Sequence, residues 1–131
     1  MIWVLRLYLS LNLLVFWGYT VAFFVAPKRL AEGIGIALVS TTGIADFRAM
    51  YGGMCLGVGA VFALGLSRDR WRAPAVFLAG GTAGGLFLGR ALTLATDGAA
   101  TPYIYQAMIS EVVTVAMAAW LLRSPVTRAT S

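Results

Sequence analysis

Residues 45–59 read ADFRAMYGGMCLGVG, and this stretch decides what kind of molecule the chain encodes. Asp46 and Arg48 stand at the entrance of an apolar run in which four of the eight residues from 52 to 59 are glycine. In a water-exposed helix each of those glycines costs about 1 kcal/mol relative to alanine. In lipid the balance inverts, because helix association there depends on close backbone approach and small residues permit it. The stretch predicts a transmembrane helix that touches neighbours on more than one side, with a charged cluster at one end.

Composition agrees with that reading. Of 131 residues, 60% are hydrophobic and 11% charged, where an ordinary soluble domain has about 45–50% and about 25%. A body this small has too little interior to hide the excess. The formal net charge of +5 does not indicate nucleic acid, because the basic residues flank apolar runs instead of sharing one face. Flanking positive charge is the pattern that sets membrane orientation. A single cysteine excludes an internal disulfide. The absence of histidine removes the commonest metal ligand and general base, so no metal, haem or zinc chemistry is expected. No cofactor is predicted, with room left for a bound lipid or quinone.

Working outward from residue 45, the apolar runs predict helices over about 3–26, 46–67, 73–96 and 103–122. These make an all-α, integral membrane four-helix bundle, one transmembrane domain over residues 1–131. The first run exceeds the 7–15 apolar residues of a signal peptide and ends in Phe23, Phe24 and Val25, so it reads as a retained span. Asn12 lies in its middle, where an amide is expected to bond across to another helix. Pro27 suits the first position of a short interfacial helix between spans one and two. Gly33 to Val39 is apolar but too short to cross, and is expected against the membrane surface or the bundle. Ser40 to Gly43 carries cap chemistry for the second span, with Asp46 in its first turn. Asp97, Gly98 and Pro102 mark a tight turn, and Ser124 to Ser131 reads as a frayed polar end.

Gly52, Gly53 and Gly57 on the second span, with Gly81, Gly85 and Gly89 on the third, predict close packing of those two helices. A homodimer face is the alternative use of the same glycines. The GGTAGG run at 80–85 lacks the Lys-Ser/Thr of a phosphate loop. Cys55 reads as a small packing residue.

Arg6, Arg68, Arg70, Arg72, Arg123 and Arg128 fall on one side of such a bundle, and Lys28 and Arg29 on the other. Six against two predicts both termini inside, N-in and C-in. Asp46 and Arg48 then lie near the outer face, with Asp97 in the outer turn. Arg90 sits about 7–9 Å below that face and Glu111 about 12 Å below it. Either charge alone costs roughly 2.5–3.5 kcal/mol inside a membrane, so Arg90 and Glu111 are expected to pair. Asp46, Arg48, Tyr51, Arg90, Asp97 and Glu111 form the predicted polar cluster of an outer pocket. Tyr103, Tyr105, Gln106, Ser110 and Thr114 are further candidates for its lining. A plain helix-register device is the competing use of the ion pair.

The motif at Asp46 to Gly53, the run from Gly89 to Gly98 and Glu111 in the last helix resemble the DUF4345 family, small four-helix bacterial membrane proteins of unknown function. The resemblance covers nearly the whole chain and puts Arg48, Tyr51, Gly52, Gly53, Arg90, Asp97, Gly98 and Glu111 on recurring motif positions. The architecture is also similar to DoxX-like proteins, some linked to quinone or thiol redox systems. The missing histidine and cysteine pair give that second likeness no chemical support here.

The expected function is non-enzymatic binding of a small molecule or lipid in the outer-leaflet pocket of a multi-pass protein of the bacterial inner membrane. Membrane lipids, a larger membrane complex or a second copy are its expected partners, and nucleic acid is not. A small transporter or proton/ion pathway is the second reading. A membrane oxidoreductase of quinone or thiol type is the third. Below Glu111 the last helix offers only Thr114 before an apolar run, which argues against a continuous path.

Overall fold

In hydrocarbon every backbone amide must be satisfied within its own segment, so a long apolar run folds as a helix. The computed structural model, which describes residues 1–128, has four helical spans long and apolar enough to cross a membrane. They are Ile2–Val25, Thr41–Ser67, Asp69–Thr96 and Pro102–Arg123. The helices are α1 (Ile2–Val25), α2 (Pro27–Gly33), α3 (Thr41–Phe47), α4 (Met54–Ser67), α5 (Arg72–Thr96) and α6 (Pro102–Arg123). No strand occurs among the described residues. The chain is an all-α, multi-pass membrane bundle.

Proline and glycine punctuate it. Ala26 leaves the helical region because a residue before proline is crowded out of it, and Pro27 opens α2 at its first position. Gly98 takes φ +100°, open to a residue without a Cβ, and turns the chain from α5 into α6. The second span starts earlier than residue 46. The Ser40 hydroxyl accepts from the Gly43 amide at 3.0 Å, and this cap begins the helix at Thr41. Asp46 therefore stands in the second turn, outside the reach of the first-turn dipole. Arg48–Gly53 is wound as a π-helix between α3 and α4.

α4 packs chiefly on α1, and α5 chiefly on α6, with α4 and α5 joining the two pairs. The buried core lies at the end that holds the termini: Leu5 and Leu9 of α1, Phe62 of α4, Val76 of α5 and Leu121 of α6. Large apolar side chains such as Trp3, Leu14 and Phe77 point outward, as lipid contact requires.

The glycine expectation needs correction. A Cβ added at Gly53, Gly57, Gly81, Gly85 or Gly89 would meet no atom within 4 Å, so the four-residue stripe on α5 packs on nothing within this chain. Of the six named glycines Gly52 alone is tight, and it packs on α1, not on α5. Gly59 lies under the Trp17 indole, Gly52 under the Phe24 ring, Gly65 against Ala75, and Gly80 against Ala118. They serve mainly the α1–α4 and α5–α6 seams, because those are the helix pairs in closest contact.

Three smaller readings also change. Asn12 donates to the Tyr8 carbonyl one turn back at 2.9 Å and not to another helix, since that carbonyl is the nearest acceptor. The stretch from Gly33 to Val39 is largely exposed, with Val39 at 92%, so of its two expected places, membrane surface or bundle, the bundle falls away. Ser124 and Thr127 are buried, and the Thr127 hydroxyl donates to the Leu121 carbonyl at 2.9 Å, so the chain after α6 folds back onto it. Residues 129–131 lie outside the described residues.

Candidate functional site

α1 runs antiparallel to α6, and the Tyr8 hydroxyl donates to the Thr114 carbonyl at 3.1 Å. Helical register carries the match upward: Asn12 comes opposite Ser110, and Tyr19 opposite Tyr103. A groove of ≈ 670 Å³ lies between α1 and α6, lined on α1 from Val4 to Tyr19, a rise of about 22 Å. Leu11 and Val15 of α1 and Val113 of α6 form apolar walls, while Ala83 of α5 and Cys55 of α4 lie at the back.

Arg90 enters this groove from α5 and Glu111 from α6, and the two form an ion pair. Glu111 is only 7% exposed. Its Oε1 faces Arg90, while its Oε2 is buried with no hydrogen-bond partner among the described residues. Pairing offsets much of the penalty of two intramembrane charges. An unsatisfied buried acceptor still costs about 1–3 kcal/mol, and more when charged. The pair carries zero formal charge as a unit.

The other four residues of the predicted cluster lie elsewhere. Arg48 Nε donates to the Phe24 carbonyl at 3.1 Å, closing the last turn of α1. Tyr51 packs against Phe23 and Phe47, with ring centroids 5.4 and 4.4 Å apart. Asp46 is exposed, and exposed Asp97 accepts from the Thr96 hydroxyl at 2.6 Å. None of the four lines the groove. The reason is rotational. α1 turns Trp17, Thr20 and Phe24 to the second span, through Trp17 Nε1 to the Leu56 carbonyl and the Thr20 hydroxyl to the Gly52 carbonyl. It turns Tyr8, Asn12, Val15 and Tyr19 to the groove, on a different face of the same helix.

Tyr103, Gln106, Ser110 and Thr114 do line the groove, whereas Tyr105 does not. Tyr8, Asn12 and Tyr19 are polar lining residues that the sequence did not mark for it. A signal existed: Tyr8, Asn12 and Tyr19 are four and seven residues apart, and Tyr103, Ser110 and Thr114 are seven and four apart. Each set falls on one helical face. Among the described residues no group of three His, Cys, Asp or Glu side chains comes together to hold a metal. The groove offers a sideways opening to lipid, a neutral ion pair and one unsatisfied carboxylate oxygen.

The chain belongs to the DUF4345 family, described as a domain of unknown function, whose match runs over residues 4–122. No curated protein and no solved structure matches it.

Proposed function

We propose that this DUF4345 protein binds a lipid or another small amphipathic molecule in the groove between α1 and α6, and that it does so without catalysing a reaction. One observation carries the reading: a nearly fully buried carboxylate, Glu111, has a free acceptor oxygen beside a groove of ≈ 670 Å³. Pockets of about 300–1,000 Å³ with apolar walls and a few convergent polar groups are the usual form of small-ligand sites. The tightly packed core at the terminal end speaks for a dead-ended site over a transport path. In this reading both termini are cytoplasmic and the groove belongs to the outer leaflet. The arginines clustered at the terminal end support that orientation.

The test is to purify the wild type and Glu111→Gln in mild detergent and extract what each carries for mass spectrometry. The expected result is a bound molecule in the wild type and at least about tenfold less in the variant, with the helical circular-dichroism signal unchanged. Equal content in two folded proteins would sink the reading.

A further inference from the structure

We infer that the occupant of the groove is an uncharged, single-chain amphiphile with a hydroxylated head, the head at Glu111 and the chain between α1 and α6. This rests on the groove being a binding site at all, and it names what that site selects.

Charge comes first. Among the described residues, Arg90 and Glu111 are the only lining residues with a formal charge, and they face each other. An anionic head has to compete with Glu111 for Arg90, and a cationic head with Arg90 for Glu111. Either one breaks an ion pair in a low-dielectric site and strands a buried charge, which is strongly unfavourable. A neutral head leaves the pair intact.

Hydrogen-bonding capacity comes second. The Ser110 hydroxyl donates to the Ala107 carbonyl at 2.7 Å, and the Thr114 hydroxyl to the Ser110 carbonyl at 2.8 Å. Asn12 commits one of its two amide N–H groups to the Tyr8 carbonyl. Gln106, Tyr19, Tyr103 and the Arg90 guanidinium still offer donors to the groove, but the buried acceptor left without a partner is Glu111 Oε2. A hydroxyl supplies the missing donor. A quinone or a simple ester presents acceptors only and leaves Oε2 unpaired.

Length comes third. The lining runs on α1 from Val4 to Tyr19 and on α6 from Met117 to Tyr103, about 21–22 Å of helix. Half of a hydrocarbon core of about 30 Å is about 15 Å, so the groove is long enough for a chain that spans one leaflet. Leu11, Val15 and Val113 along its walls suit an alkyl chain that enters sideways from that leaflet.

The experiment titrates the intact protein, held in an amine-oxide detergent whose head has no hydroxyl, with 1-monooleoylglycerol, oleate and a decyl-substituted benzoquinone, read by native mass spectrometry. Monooleoylglycerol is expected to bind at least about tenfold more tightly than the other two, the difference one hydrogen bond to a buried charge makes. That binding should be lost in Glu111→Gln and also in Val113→Trp, which fills the groove without touching the ion pair. Oleate or the quinone binding as tightly would overturn the assigned head group and leave the groove reading standing. Undiminished monooleoylglycerol binding by Val113→Trp would overturn the assigned place of the chain. No binding of any probe, together with nothing co-purifying, would overturn both readings.

Discussion

A Cβ built on Gly65 would sit 2.5 Å from the Ala75 Cβ, 3.0 Å from a Leu9 methyl and 3.3 Å from the Trp71 carbonyl oxygen. One built on Gly85 would meet nothing within 4 Å. The same substitution should therefore act in opposite directions. Gly65→Ala forces α4 and α5 apart at the buried end and is expected to destabilise by about 1–3 kcal/mol. Gly85→Ala adds helix propensity at no steric cost and is expected to be neutral or to stabilise by up to about 1 kcal/mol. Thermal unfolding followed by circular dichroism in one detergent distinguishes them. A drop at Gly85 equal to that at Gly65 would mean that the open stripe on α5 is packed after all. At this scale the sequence was legible where a residue is expensive in lipid wherever it points. Arg90 and Glu111 have to find each other, and they do. It was less legible for Asn12, whose amide is satisfied by its own helix as readily as by another.

The second span is 27 residues long, Thr41–Ser67, and at 1.5 Å per residue it is about 40 Å long. Crossing needs about 30 Å, so roughly two turns overhang, and the end that carries Asp46 and Arg48 lies at the rim. There Arg48 does structural work. Its guanidinium donates to the Phe24 carbonyl at 3.1 Å, placing positive charge at the negative end of the α1 dipole. The π-helical turn at Arg48–Gly53 brings Gly52 against Phe24 and its carbonyl against the Thr20 hydroxyl. Such turns are rare and depend on local contacts. Arg48→Ala should remove about 0.5–1.5 kcal/mol of local stability. Hydrogen exchange would show it as severalfold faster exchange at the last α1 amides, Phe24 to Ala26, and unchanged rates there would deny Arg48 this role. The motif was visible from the sequence, and the cap at Ser40 as well. That the cap would pull the helix start back to Thr41, and that Arg48 would turn to α1 and away from Glu111, depended on how the two helices are rotated.

For the whole molecule, charge, core and groove fall along one axis. The terminal end holds Arg6, Arg68, Arg70, Arg72, Arg123 and Arg128 against Asp69, a formal +5. At the opposite end Lys28, Arg29 and Arg48 balance Glu32, Asp46 and Asp97, and the Arg90–Glu111 pair balances itself. The entire net charge of the protein thus sits where the core is tightest, and the groove opens toward the neutral end. A charge difference of this size predicts the basic end inside. In a Cys55→Ala background, a membrane-impermeant maleimide added to intact cells should label Ala99→Cys in the α5–α6 turn. Ser67→Cys beside the basic loop should react only after lysis. The reverse pattern would invert the bundle and move the groove to the inner leaflet.

Taken alone, the sequence determined the class of molecule, the number of spans, the turns between them and the pairing of Arg90 with Glu111. These follow from costs that act on each segment or residue separately: backbone satisfaction, apolar length, proline and glycine geometry, and the penalty on an unpaired charge. Only the tertiary structure decided which glycines pack, which faces α1 turns to the second span and to α6, and that Tyr8, Asn12 and Tyr19 line the groove of the ion pair while Asp46, Arg48 and Asp97 do not. The reason lies in the solvent. In water a helix shows its buried face by contrast with a polar one, but in lipid both the packed and the exposed faces are apolar. Rotation about each helix axis is then set by side-chain fit between neighbours, and that fit exists only once the helices are together.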